Sequence, residues 1–195
     1  MARPRIHDES LRVRLLARAG EIVSRGGVDA LTLRGLAAAE NTSTTAVYAL
    51  FGGKPEVLGA LYGDALTSFG AAQRAAMGGR DVLVDLRSLG AAYRSWALAH
   101  PALYAVMFGG SLAGFEPGPA DREQALGTMG PLTETVARGV SEGLIKADPQ
   151  VASLAIWGMV HGLVSLELTG SCPPADDPGV LYWRAVDAML TGILA

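Results

Sequence analysis

The segment from Thr32 to Lys54, TLRGLAAAENTSTTAVYALFGGK, constrains the fold of this chain most tightly, because it sets two helix starts and a polar interruption close together. Thr32 can cap a first helix carrying an apolar stripe of Leu33, Leu36 and Ala37; Glu40-Asn41-Thr42 interrupts it, and Ser43 can cap a second helix. Asn41 is among the few residues other than glycine that tolerate a left-handed backbone, which a sharp turn between abutting helices usually needs. In the second helix Ala46, Val47 and Leu50 point toward the core, while Thr44, Thr45 and Tyr48 face solvent. Small hydroxyls and one aromatic with a polar tip make a surface able to enter a groove. The pattern reads helix, turn, helix.

The remainder extends the helical reading. Half of the 195 residues are apolar and 18% are charged. Ala and Leu dominate, and Val, Ile and aromatic residues do not form alternating runs, so the expected class is all-α. Stop signals predict about nine helices. The first covers Asp8 to Arg25, with Leu11, Leu15, Ala19, Ile22 and Val23 on its apolar face and Gly26-Gly27 ending it. The motif's two helices follow, closed by Phe51, read as a plug of the three-helix core. Pro55 suits the first position of a helix reaching Met77, and another runs from Arg80 to His100, stopped by Pro101. PALYAVMF is a short helix. Ala120 to Glu142 is helical with a kink or break at Gly130-Pro131. Asp148-Pro149 opens a helix to Leu168, and Val180 to Leu194 forms the last.

Charge is distributed unevenly. Residues 1 to 54 carry eight Arg or Lys against five Asp or Glu, and the remainder carries eight against fourteen. An N-terminal head that meets a polyanion and an acidic body held off it account for that split. The expected division is 1–54 for the head and 55–195 for the body. Lys54 falls beside a helix N-terminus, where free N–H groups favour an anion, so a phosphate contact is plausible. Gly53-Lys54 is no nucleotide loop, since Pro55 replaces the required Ser or Thr. Met1 to His7, holding Arg3 and Arg5, reads as a frayed terminus or as an arm reaching phosphates or a minor groove. Arg14, Arg18 and Arg25 read as a solvated face or as phosphate contacts.

Further along the chain, Tyr93, Trp96, Tyr104, Met107, Phe108 and Phe115 cluster in sequence, with Trp157 and His161 as possible neighbours. Such residues line small-molecule pockets and also build plain core; His161 in particular can be a core histidine or a ligand contact. Leu154, Gly158 and Gly162 on one helix, with Leu181, Ala185, Ala188, Met189 and Gly192 on the last, are more apolar surface than one copy covers easily. Two helices from each of two copies would make a four-helix interface, so a homodimer is expected. Pro149 to Leu166 carries no formal charge, but Gln150, Ser153, His161 and Ser165 interrupt it and Asp148 and Glu167 bracket it, so it reads as buried in protein rather than in a membrane. Catalysis finds little support. His7, His100 and His161 lack metal-ligand spacing, and Cys172 sits beside Pro173-Pro174 without a recognisable base, so no enzyme, metal or cofactor is expected. The single Cys172 excludes an intramolecular disulfide, and no secretory signal is evident, so the cytoplasm is the expected compartment.

With these residues laid out, Arg12 to Leu58 closely resembles the DNA-binding domain of the tetracycline-repressor (TetR) family. The resemblance rests on Thr32 and Arg34 at the start of the second helix, Ser43, Thr44 and Thr45 in the recognition helix, and the closing Tyr48, Phe51 and Lys54. IWGMVHGLVSLEL, with Trp157 and His161-Gly162, is also similar to a TetR-type C-terminal domain. Two departures stand out: Asn41 replaces the usual turn Gly, and Ala49 and Leu50 stand where many members carry polar or basic residues. The resemblance implies a dimeric transcriptional regulator, usually a repressor, that binds a palindromic double-stranded DNA operator and leaves it when a small molecule occupies the body. The corresponding DNA contacts are Thr32, Arg34, Ser43, Thr44, Thr45, Tyr48 and Lys54. A helical small-molecule binding protein without operator binding is the alternative.

Overall fold

We describe the protein from a computed structural model covering residues 5–79, 81–108, 115–173 and 177–193, with side chains between residues 9 and 192. Arg3, the side chain of Arg5 and most of the loop before Pro119 lie outside these described parts. Among the described residues the chain forms ten α-helices and no strand, the all-α class expected. They are α1 (Arg5–Ala30), α2 (Leu33–Ala39), α3 (Thr44–Phe51), α4 (Lys54–Ala76), α5 (Val82–Ala99), α6 (Pro101–Phe108), α7 (Pro119–Gly127), α8 (Gly130–Ser141), α9 (Pro149–Leu168) and α10 (Pro178–Ile193).

Two glycine-containing boundaries have identifiable physical causes, the first resolving the expected kink or break as a break and the second departing from the expected stop. Gly130-Pro131 separates α7 from α8 outright, because proline has no N–H and crowds the carbonyl four residues earlier; this brings the count to ten. At the end of α1, Gly27 leaves helical geometry (φ 73°, ψ 178°), but helical hydrogen bonding resumes as far as Ala30. The glycine pair therefore kinks the helix where a stop was expected.

The chain packs as two compact units, one drawn from Met1–Ser68 and His100–Gln124, the other from Phe69–Ala99 and Ala125–Ala195. In the first, α1, α2 and α3 pack on one another and α1 also packs on α6. Leu15, Leu36, Val47 and Val57 are fully buried there, each stabilising the unit by about 1.5–3 kcal/mol. In the second, α8 lies against α5 and α9, and α9 also against α10. By length and composition alone α9, with a mean hydropathy of 1.5, could cross a bilayer. Its packing against α5, α8 and α10 makes it a helix of the second unit. Asp148 caps it, accepting from the N–H groups of Gln150 (2.9 Å) and Val151 (3.1 Å).

The second unit is pinned by a buried carboxylate. Asp85 is 1% exposed and accepts from Gly78 N–H at 2.9 Å, Gly79 N–H at 3.0 Å and Arg138 Nη2 at 2.5 Å. It closes the turn between α4 and α5 and ties α8 to α5. The Arg138 hydrogen bond, aided by the two backbone N–H groups, holds its carboxyl below the ordinary 3.8 although burial works the other way. A lowered folded value gives stability that is fully present above the unfolded pKa and is lost as pH falls through the folded one. Asp85→Asn should cost about 1–3 kcal/mol at pH 7, measured by urea unfolding. The difference from the parent should shrink below about pH 4; a gap independent of pH would show that the charge of Asp85 is not what stabilises the unit.

Candidate nucleic-acid interface and apolar cleft

The helix-turn-helix forms as its capping residues dictate. Thr32 Oγ1 accepts from Gly35 N–H at 3.0 Å, and Ser43 Oγ accepts from Ala46 N–H at 3.1 Å. Each hydroxyl is thereby committed as an acceptor to its own helix and keeps its O–H to donate outward. Between them Asn41 takes φ 51°, the only positive φ at a non-glycine among the described residues. The turn also receives a clamp that no sequence pattern announces. Glu40, at the end of α2, accepts from Arg14 Nε at 3.3 Å and from Arg18 Nε at 3.1 Å, and Arg18 also pairs with Glu21 at 2.6 Å. Of Arg14, Arg18 and Arg25, the first two are thus engaged within the head.

On α3, Val47 is fully buried and Ala46 and Leu50 are half-buried, while Thr44, Thr45 and Tyr48 point outward, Tyr48 with 56% of its surface exposed. Arg34 is exposed on α2. Phe51 is only half-buried, with the Arg12 guanidinium 5.4 Å from its ring centre, so it borders the three-helix core under a cation and does not plug it. Lys54 is the first residue of α4, with Glu56 in the same turn. The Glu56 carboxylate folds back beside Gly53, where an added Cβ would lie 2.8 Å from Oε2. That acid already answers the positive helix end, so attraction of a phosphate to this turn falls to the Lys54 ammonium.

The aromatic residues of mid-chain do not converge on one place. Tyr104 and Phe108 pack together (centroids 4.9 Å apart) in the first unit, where Phe115 lies against Tyr62 at 5.7 Å; half-buried Met107 belongs to the same unit. In the second unit Phe69 of α4 receives the rings of Tyr93 (5.2 Å) and Trp96 (5.1 Å) edge-on. There a small cleft opens, with Phe69, Gln73, Leu86, Tyr93, Ile156 and Trp157 on its wall. Of the eight residues singled out from sequence, Tyr93 and Trp157 line it. His161 touches it through Tyr93, whose hydroxyl lies 3.0 Å from Nδ1, and Trp96 stands behind Phe69. Phe69 and Gln73 were not anticipated, although Gln73 falls on the buried stripe of α4 that includes Leu58, Leu61, Ala65, Leu66 and Phe69. A lone amide on such a stripe was the available signal.

The residues expected at a partner face lie open. Leu154 is 64% exposed, Gly158, Ala188 and Gly192 are exposed, and Gly162, Leu181, Ala185 and Met189 are half-buried. A Cβ built at Gly158, Gly162 or Gly192 meets nothing within 4 Å. Among the described residues no group of His, Cys, Asp and Glu is placed to hold a metal ion.

Residues 86–189, more than half of the chain, match the family model described as tetracyclin repressor-like, C-terminal domain. The chain belongs to the TetR family. The HTH-type transcriptional regulator Rv1816 of Mycobacterium tuberculosis is 26% identical to it over 87% of this chain and 86% of that protein. A bacterial regulatory protein in the tetR family from Rhodococcus RHA1 shares the fold, with 24% identity, a TM-score of 0.78, and coverage of 94% of this chain and 96% of that one. So does the TetR family transcriptional regulator PfmR of Thermus thermophilus, with 22% identity, a TM-score of 0.76, and coverage of 91% and 97%. This TetR chain is accordingly a transcriptional regulator, and its relatives are regulators rather than enzymes. Regulators of this family bind DNA and usually act as dimers.

Burial lowers the pKa of His161 below the ordinary 6.5, which keeps its ring neutral and able to accept from Tyr93. A histidine with a depressed folded pKa leaves the unfolded chain binding the proton first, so stability is full above the unfolded value and falls as pH drops below about 6.5. His161→Gln should remove that slope between pH 7 and pH 5 in thermal unfolding. An NMR titration of His161 with a midpoint at or above 6.5 would contradict this account.

Proposed function

We propose that the protein is a ligand-responsive repressor that binds a palindromic DNA operator as a homodimer and is released by a small molecule. The observation that carries this reading is the outward row Thr44, Thr45 and Tyr48 on a short helix whose opposite face is locked into a core by Val47. A helix held in that way can lie in a major groove without losing its own packing. Arg34, Thr44 and Thr45 would make base or mixed contacts, and Tyr48 and Lys54 backbone contacts, with the outward O–H groups of Thr32 and Ser43 available to phosphates. In this reading 1–54 acts as the reading head and 55–195 as the responsive, dimerising body.

Two copies must set their recognition helices roughly 34–36 Å apart, or a related spacing, to reach successive major grooves. The open face of α9 and α10 offers the surface through which they would pair, with Gly158 and Gly162 permitting close helix approach. The apolar cleft of the second unit would take the effector, with Tyr93 and Trp157 on its wall. A coupling of about 1–3 kcal/mol between the cleft and operator binding suffices for a 5- to 150-fold change in affinity.

Selection from a random DNA pool should recover an inverted repeat. Tyr48→Ala should weaken its binding at least tenfold without changing the thermal midpoint, and Lys54→Ala should flatten the dependence of log affinity on log salt by about 0.9. A pool that yields no enriched sequence would favour a small-molecule binding protein without operator function. For the partner face, Gly158→Leu adds a side chain that a single copy accommodates freely. It should preserve helical content and raise the dimer dissociation constant at least tenfold in light scattering over a dilution series; an unchanged dimer would remove this face from the interface.

A further inference from the structure

Two hydroxyls of the cleft wall are already engaged. Thr128 Oγ1 donates to the Ala125 carbonyl at 2.7 Å, and the Tyr93 hydroxyl contacts His161 Nδ1. Gln73 differs. Its side chain is 5% exposed, it lies on the cleft wall, and Nε2 is buried without a hydrogen-bond partner. A buried amide N–H left unpaired is costly, and such groups in native proteins generally answer to something that fills the space beside them. The wall otherwise consists of apolar and aromatic side chains with no carboxylate, ammonium or guanidinium group. A charged ligand would lose its hydration there and gain no counter-charge. The enclosed part of the cleft is small and its mouth is open to solvent, which restricts the occupant to a compact molecule.

We infer that the cleft selects a compact, neutral, mostly apolar effector carrying a carbonyl-type acceptor, and that Gln73 Nε2–H is the donor that recognises it. The inference rests on the reading of this cleft as the effector site and adds the chemical class of the effector. Phe69 and Trp157 supply the apolar surface that holds the molecule. Gln73 sets its orientation and separates a ketone or ester from a hydrocarbon of the same shape.

Three probes of nearly equal size distinguish the possibilities: acetophenone, ethylbenzene and benzoate, each titrated calorimetrically into the full-length protein without DNA. Acetophenone should bind at least tenfold more tightly than the other two. In Gln73→Met, which keeps length and loses the amide, that preference should fall below threefold while ethylbenzene affinity stays within threefold of the parent. Benzoate binding tightest, equal affinities for ketone and hydrocarbon, no acetophenone binding up to millimolar concentration, or a ketone preference that survives in Gln73→Met would each overturn the inference. Should Gln73→Met not fold, the side-chain amide NMR signal of Gln73 in the parent decides: it should move with acetophenone and stay in place with ethylbenzene, and an unmoved signal counts against the donor role. Since no DNA is present, a chain that selects no operator still tests the cleft. A cleft that takes no ketone equally leaves operator selection standing.

Discussion

Glu40 holds the geometry of the helix-turn-helix head. Its carboxylate sits at the end of α2 with 12% of its side chain exposed and is gripped by Arg14 and Arg18, one turn apart on α1. Partly exposed pairs of this kind contribute only about 0.2–1 kcal/mol each, little beside the burial of Leu15, Leu36 and Val47. Apolar contacts tolerate small sliding, whereas a carboxylate held by two guanidinium groups fixes the end of α2, and with it the Asn41 turn and the angle at which α3 leaves. The stability of the head is hydrophobic, and its aim is electrostatic.

The same clamp lowers the charge that the head can offer. Residues 1–54 have three more basic than acidic groups, yet Arg14 and Arg18 face Glu40 and Glu21, and Arg12 lies over the Phe51 ring. On α3 itself the outward residues are hydroxyls and a phenol. A positive sequence balance therefore overstates the attraction for a polyanion. In the proposed reading, recognition by such a head leans on the fit of short hydroxyl side chains, with Arg34 and Lys54 supplying charge at its flanks.

What the sequence made legible was what local chemistry decides. Thr32, Ser43 and Asp148 are caps because a side-chain oxygen before a helical run has nearby N–H groups to satisfy, and Asn41 takes φ 51° because the turn demands it. The outward setting of Tyr48 follows from periodicity against Val47. Long-range pairing was not legible. Periodicity tells which face of a helix is apolar but not which helix covers it, so Tyr104, Met107, Phe108 and Phe115 looked like companions of Tyr93 although they pack in the other unit. Gln73 passed unnoticed for the complementary reason. Its meaning depends on the empty space beside it, which is created by α5, α8 and α9 together.

α9 brings the cleft and the open face into one mechanical element. Ile156, Trp157 and Val160 face the cleft, whereas Leu154, Gly158 and Gly162 lie on the uncovered side; Trp157 and Gly158 are neighbours in sequence. A helix is stiff along its axis, so a molecule that pushes Trp157 outward or lets it settle inward moves Gly158 with it. Close helix packing at glycine depends steeply on separation, since dispersion contacts fade within about 0.5–1 Å of added gap. If the cleft takes the effector and this face pairs two copies, as proposed, seating a ligand against Trp157 acts on the pairing surface with no intermediate residue. For a TetR regulator read as a dimer, this is the shortest physical route in the second unit from an occupied cleft to a changed arrangement of two copies.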